Sequence, residues 1–298
     1  MSQAITASMV NELRQRTGAG MMDCKKALVA ANGDMDVAEH EIAKAGNRKA
    51  EKTAARVAVE GAIVAAHNDV YTEMALVEIN CETDFVAKDA SFLEFCRSVA
   101  QLVLRHKEEQ VALLKDQPLT TDSHQTLEEA RQALIGKIGE NIQVRRAVYV
   151  NATDGVVGHY IHGGRIGVLV RLKGGDNALA KDLAMHVAAL QPQYVSPEEV
   201  PAERLAKEKE IFMAQSENTG KPAEIVEKMI QGRLNKYLNE ICLVGQSFVK
   251  NPDITVAQLL KEKHASVVSY GRLAVGEGLE KKAESNFADE VAQMIGGK

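Results

Sequence analysis

His159 and His162 stand three residues apart in VVGHYIH, and His186 follows in a helical stretch, so metal ligation is the first chemistry to weigh. On a strand the side chains alternate with a period of two, which sends residues three apart to opposite faces. No cysteine or carboxylate stands at ligand spacing beside them, and a zinc site is not expected. Ser247, Cys81 and Asp84 are residue types that serve as nucleophiles or acid–base groups, yet none has an adjacent base or an orienting third group. GGRIG at 163–167 lacks the lysine and hydroxyl that hold phosphate and magnesium, and Gly18-Ala19-Gly20 lacks the third glycine and the preceding strand of a dinucleotide site. At each of these residues an ordinary structural role is the expected one, and the chain is not expected to bind a nucleotide or a zinc ion itself.

Two stretches suit contact better than catalysis. In TGAGMMD, residues 17–23, Met21 and Met22 adjoin at the start of a helix, and neighbours on a helix do not share a face. One of the pair is then exposed or thinly covered, and methionine adapts to irregular partner surfaces; the alternative is ordinary packing onto the rest of the chain. In CETDFVAKD, residues 81–89, a turn must join an alternating strand to a helix. Thr83 is placed to cap a single turn and Val86 to cover the core, which directs Asp84 and Phe85 elsewhere, with Lys88 and Asp89 following. An aromatic beside a carboxylate on a loop held by two firm elements suits a binding wedge. The competing reading buries Phe85 beneath its own sheet.

The elements around these stretches follow from periodicity. Residues 6–46 read as three short helices, with inward faces Met9, Val10 and Leu13, then Cys24, Ala27, Leu28 and Ala31, then Ala38, Ile42 and Ala45. Gly18, Gly33 and Gly46 are the expected stops. The basic, Ala-rich run at 47–60 suits a helical connector, because no aromatic is interleaved for base stacking. From Gly61 the period becomes two: GAIVAAH, a turn at Asn68-Asp69 and YTEMALVEIN predict an antiparallel hairpin, with Val77 and Ile79 on one face and Leu76 and Glu78 on the other. Ser91 and Glu94 have the spacing of a capping box, opening a helix that buries Phe92, Phe95, Cys96, Val99 and Val103. TLEEARQALIGKI adds a further helix.

IQVRRAVYV, VVGHYIH and RIGVLVRLKG, divided by turns at Asp154-Gly155 and Gly163-Gly164, then open a second strand-rich unit followed by the helix DNALAKDLAMHVAAL. Two strand-plus-helix units predict a duplicated α+β fold, with helices covering one side of an antiparallel sheet. SPEEVP, with Ser196 as cap, leads into a long helical hairpin broken at Thr219-Gly220-Lys221-Pro222. Its narrow apolar seam zips the two arms together or meets another subunit. A helix at DITVAQLLKEK, a strand at ASVVSYGRLAVG and a last helix at NFADEVAQMI complete the chain.

At 298 residues, 45% hydrophobic and 26% charged, the chain buries a sizeable core and is not of disordered composition. A net charge of -5 supplies no field for a polyanion, so nucleic acid is not an expected partner. There is no basic start followed by an apolar segment, and no uncharged apolar run of the roughly 18 residues a membrane helix needs. Neither export nor membrane insertion is expected. Cys24, Cys81, Cys96 and Cys242 form no CxxC pair, which fits buried thiols in a reduced, cytoplasmic compartment.

ITASMVNELRQRTGAGMMDCKKAL at 5–28, NCETDFVAKD at 80–89, GKIGENIQVRR at 136–146, HGGRIGVLV at 162–170 and FADEVAQM at 287–294 together resemble, in order, the bacterial translation elongation factor Ts family. The resemblance implies a guanine-nucleotide exchange factor for elongation factor Tu in its GDP-bound and nucleotide-free forms. It also implies a ubiquitin-associated-like helical module with connector at 1–56 and a core N-subdomain at 57–143. A core C-subdomain at 144–190 and 244–278, an inserted dimerisation hairpin at 191–243 and a C-terminal module at 279–298 complete the implied layout. Asp84 and Phe85 match the pair that enters the partner's nucleotide-binding domain beside its magnesium and phosphate site, within the block that holds Thr83, Val86, Lys88 and Asp89. Arg14, Met21 and Met22 match an N-terminal contact to that domain, His162 matches a contact from the core, and the hairpin implies a homodimer. Two rivals remain from the residues alone: a chaperone-like or assembly protein that binds without speeding nucleotide release, and an α+β enzyme, which requires His159, His162 and Cys81 to meet in space.

Overall fold

A computed structural model describes residues 4–216 and 222–280. Thr6 opens α1 (Ala7–Thr17) by accepting the Met9 N–H, and Gly18 at φ 66° closes it by returning its N–H to the Arg14 carbonyl. α2 (Met21–Ala30) and α3 (Met35–Thr53) follow, the latter capped by Asp34 accepting from Val37 N–H. Val10, Leu13, Cys24, Ala27, Leu28 and Ala38 bury one another as the expected faces require, with Met9 and Ile42 at the margin. Ala45, expected in that core, is exposed.

The third helix does not stop at Gly46. Its reason appears in the next unit, where β1 (Glu60–His67), β2 (Glu73–Cys81), α4 (Ala90–His106), α5 (Leu127–Ile138) and β3 (Gln143–Asn151) succeed one another. Gly46 faces Gly136 of α5, and a Cβ on Gly136 would stand 3.1 Å from the Gly46 Cα. The glycine permits two helices to touch, a packing role that punctuation cannot reveal.

β1 and β2 form the expected antiparallel hairpin, Val64 opposite Val77. β3 was expected to open the second unit; it pairs instead with β2, giving the order β1-β2-β3, and residues 143–151 thus complete the first sheet. Both faces of β3 are apolar: Val144, Ala147 and Tyr149 lie toward α4 and α5, while Val148 and Val150 lie on the reverse side. Asp154-Gly155 is therefore a crossing between sheets, tight enough that a Cβ on Gly155 would overlap the Leu172 carbonyl.

The second unit comprises β4 (Val156–His162), β5 (Ile166–Lys173), α6 (Asn177–Leu190), α7 (Ala202–Ser216), α8 (Ala223–Ile241), β6 (Ser247–Phe248), β7 (Asn251–Thr255), α9 (Val256–Glu262) and β8 (Ser266–Ala274). β4, β5 and β8 make its antiparallel sheet, and β6 and β7 a small ribbon. The fold is α+β with two antiparallel sheets back to back. Ile63, Met74, Leu76, Val157, Leu169 and Leu273 fill the space between them. α4 and α5 cover the outer face of the first sheet through Phe92, Phe95, Val99 and Leu134. α6 and α9 cover the outer face of the second through Leu183, Val187, Val256 and Leu260.

A buried carboxylate sits in the inner layer. Glu78 is fully buried and accepts from the Gly276 N–H, from Arg145 and Arg146, and from Asn80. Consecutive strand residues normally point to opposite faces, but the register shifts between Glu78 and Ile79, and this bulge lets both arginines reach one carboxylate. Arg146 also donates to the Ala274 carbonyl and Arg145 to that of Glu277, so the cluster fastens the first sheet to the end of β8.

SPEEVP forms only a 3-10 turn at Pro197–Glu199, with Glu199 accepting from Val195 N–H, and α7 begins after Pro201. α7 and α8 pack antiparallel: Arg204 donates to Tyr237 and Tyr194, and Arg233 stands over the Phe212 ring. Ile211, Met213 and Ile225 remain exposed and do not zip the two arms together. The expected breaker residues Thr219, Gly220 and Lys221, and the expected last helix at 286–295, lie outside the described residues. No described helix is long and apolar enough to cross a membrane.

Candidate partner-binding site

At the end of β2 the chain has to leave the sheet, cross to α4 and keep its backbone polar groups bonded. Cys81 is buried and donates its Sγ–H to the Thr83 carbonyl at 3.2 Å. Glu140, in the α5–β3 connection, accepts the N–H groups of Glu82 and Thr83 with one oxygen, each at 3.0 Å, and the Thr83 hydroxyl with the other at 2.6 Å. In return Glu82 accepts from Asn141 N–H at 2.6 Å. The Thr83 hydroxyl also accepts from Val86 N–H, so it caps the single 3-10 turn Val86–Lys88 as its position suggested.

Val86 and Ala87 pack half-buried on the outer core of the first sheet. Phe85 points away, 82% exposed. That exposure decides between the two readings of the ring: it is not hidden beneath its own sheet. Lys88 donates to Asp84 at 2.7 Å across one turn, both side chains in solvent. This bond, with weaker help from Arg165, holds the Asp84 carboxyl below the usual carboxylate range. Asp89, not Ser91, is the N-cap of α4; its carboxylate accepts from Ser91 N–H and Phe92 N–H, and the Phe92 bond foremost depresses its pKa. The capping-box spacing misled because Ser91 already lies inside the helix, where its hydroxyl accepts a hydrogen bond from Lys137.

His162 is exposed as the last residue of β4, its Nδ1 3.2 Å from the Tyr160 hydroxyl. The turn that follows it carries Arg165, which pairs with Glu60 beside Cys81, while the Gly164 carbonyl accepts from the Ile63 N–H. Asp84, Phe85 and His162 are thus brought to one end of the stacked sheets. Met21 and Met22 are both exposed, at 55% and 63%, and Arg14 is exposed on α1. The helical module carrying them meets the core through the Gly46–Gly136 contact and through Gly18, which lies against Lys137 near the start of α4.

The groups that an enzyme would need do not meet. His159 neighbours His67 at the far end of β1, with ring centroids 6.2 Å apart, whereas Cys81 pairs with Glu60 at the near end. Burial, with the Glu140 charge, pushes the Cys81 thiol up to about 12, which leaves no thiolate for nucleophilic work. His186 is buried, bonded to Gln246 and to Val249 N–H. No group of three or more His, Cys, Asp or Glu among the described residues is arranged to hold a metal ion.

Sequence reasoning missed Glu140. Its partners lie 57 and 58 positions away, and neither periodicity nor a cap signature marks such a bond.

Residues 82–277 match the sequence model of the family described as Elongation factor TS. A protein named elongation factor Ts from Alcanivorax borkumensis is 56% identical over 289 residues, covering 97% of this chain and 100% of that protein. Its namesake from Thioalkalivibrio sulfidiphilus is 54% identical over 294 residues, 98% of this chain and 99% of that one. The one from Legionella pneumophila strain Lens is 52% identical over 291 residues, 98% of each. Matched at this identity along nearly its whole length, with the exposed turn inside the matched region, the chain belongs to the elongation factor Ts family.

Proposed function

We propose that the chain is a guanine-nucleotide exchange factor for elongation factor Tu, using Phe85 as a wedge near the partner's magnesium and phosphate site. The observation that carries this reading is an aromatic ring 82% in solvent on a turn whose backbone is braced from both sides. No covalent bond changes, so the chain is not an enzyme in the chemical sense. Exchange follows from linkage: if the chain and GDP each weaken the other's binding, the coupling is reciprocal and GDP leaves faster from the ternary complex.

Magnitudes constrain the division of labour. Speeding release by about 10³-fold takes about 4 kcal/mol, and burying a phenylalanine contributes roughly 1.5–3 kcal/mol. The ring therefore does not suffice alone. The rest comes from disturbing the magnesium shell and phosphate-cradling amides, both of which tolerate little distortion. Asp84, kept ionised by Lys88, serves as an acceptor that anchors the wedge. Arg14, Met21, Met22 and His162 supply the wider contact that holds the wedge in place; their exposure supports this. The uncovered Ile211, Met213 and Ile225 support a second copy of the chain as the partner of the α7–α8 hairpin.

Stopped-flow release of fluorescent GDP from elongation factor Tu tests the reading, with wild type and Phe85→Ala side by side. Removing the ring should lower the maximal rate by about 10–150-fold, the kinetic equivalent of its transfer energy, while complex formation weakens far less. Equal losses in both would make Phe85 a mere contact. Tight binding by wild type without faster release would favour the chaperone-like alternative.

A further inference from the structure

The position of a ring that is 82% exposed is not set by packing around it. Its location depends on the backbone of Glu82–Val86, and most of the bonds that hold that backbone from outside the turn end on one side chain. Glu140 Oε2 lies 3.0 Å from both Glu82 N and Thr83 N. Glu140 Oε1 accepts a hydrogen bond from the Thr83 hydroxyl at 2.6 Å, which turns the hydroxyl's lone pair toward Val86 N–H, 3.3 Å away. A carboxylate is suited to this because it accepts along both oxygens at once, and bonds to a charged acceptor are the stronger kind. Glu140 is itself braced: the next residue, Asn141, gives its N–H to Glu82 and its side-chain amide to the Arg56 carbonyl at 2.7 Å.

We propose that Glu140 is the positioning residue for Phe85, acting through the backbone of Glu82 and Thr83 and through the Thr83 hydroxyl. It touches neither the ring nor, on this reading, the partner's nucleotide. Its role rests on the exchange function proposed above, because a wedge contributes to a barrier only when held to within a fraction of an ångström. Glutamine at this position keeps an acceptor for the two N–H groups but presents a donor to Thr83, so the hydroxyl is no longer aimed at Val86. Alanine removes every bond.

The chain contains no tryptophan, so Phe85→Trp introduces a unique fluorophore on the turn. Time-resolved anisotropy of the free chain should show a local component limited to side-chain rotation when Glu140 is present, and one of larger amplitude with Glu140→Gln or Glu140→Ala, as backbone motion of the turn is added. Stopped-flow GDP release should lose about tenfold in maximal rate with Glu140→Ala and less with Glu140→Gln. The half-saturating concentration should move by less than about threefold, because loosening the turn affects the wedge and not the wider contact. In the Phe85→Ala background, replacing Glu140 should change the rate by less than about twofold, since the two act as one unit. Unchanged anisotropy, or equal losses in both backgrounds, overturns the assignment. Should Glu140→Ala fail to fold, the glutamine variant decides alone. If the wild-type chain fails to speed release at all, the exchange reading falls, while anisotropy still judges the positioning role.

Discussion

Replacing Glu78 by glutamine removes one charge from the layer between the sheets and leaves the shape almost unchanged. The carboxylate is fully buried, while Arg145 and Arg146 keep 21% and 32% of their side chains exposed. Breaking a buried ion pair costs about 3–5 kcal/mol. The arginines retain water and the carbonyls of Glu277 and Ala274 as acceptors, and glutamine still accepts from Gly276 N–H, so the expected cost is about 2–3 kcal/mol, below that range. For a chain of this length that corresponds to a fall of roughly 5–10 °C in the melting temperature of the core. Urea unfolding followed by circular dichroism measures it, with Glu277→Gln as the control; the half-exposed Glu277 carboxylate pairs with Arg146 and Arg272, and its loss should cost under about 0.5 kcal/mol.

The pH dependence has a definite sign. Burial pushes the Glu78 carboxyl up, but the Gly276 N–H and the two guanidinium groups outweigh burial and hold it below the usual carboxylate range. A group with a depressed folded pKa contributes stability above its unfolded pKa and loses it as pH falls through the folded one. The gap between wild type and Glu78→Gln should therefore be full above the ordinary carboxylate range and narrow as pH falls through that range toward the lower folded value. A cost no larger than that of Glu277→Gln, or a gap that closes near neutrality, would refute the claim that Glu78 pins the sheets together.

Gly167 faces the other sheet, where a Cβ would lie 2.5 Å from Ile63 Cγ2 and 2.8 Å from Leu76 Cδ1; Gly167→Ala should cost about 1–3 kcal/mol in urea unfolding. Gly232→Ala, in α8 with nothing within 4 Å of its added methyl, should instead stabilise by about 0.5–1 kcal/mol, and opposite signs for the pair check the packing directly. His186 is held neutral by burial, which lowers its pKa below that of a free imidazole despite the Gln246 bond. The unfolded chain takes up a proton that the folded chain refuses, so stability is full above about pH 6.5 and declines as pH falls below it. His186→Gln should flatten this decline, and an unaltered pH profile would remove His186 from the explanation. Phe85→Ala should leave stability within about 0.5 kcal/mol of wild type, because the ring buries almost nothing in the free chain.

Periodicity in the chain alone was enough to place the β1–β2 hairpin, the apolar face of α4 and the three helices of the N-terminal module. These depend on neighbours within a few residues, where spacing reports directly which side chains share a face. The same reasoning located Thr83 as a cap and Val86 as an anchor, and the residue blocks around Met21 and Phe85 carried the family resemblance. What covers each face was decided only in three dimensions. β3 has two apolar sides and no preference visible in its own sequence for one sheet over the other; register with β2 settled it. Gly46 reads as a stop until Gly136 is placed against it. Phe85 has the composition of a core residue, and its exposure follows from a turn held by Glu140, more than fifty positions away. Local spacing encodes direction, whereas burial and long-range hydrogen bonds depend on which distant segment arrives at that place, and only the folded chain brings the two together.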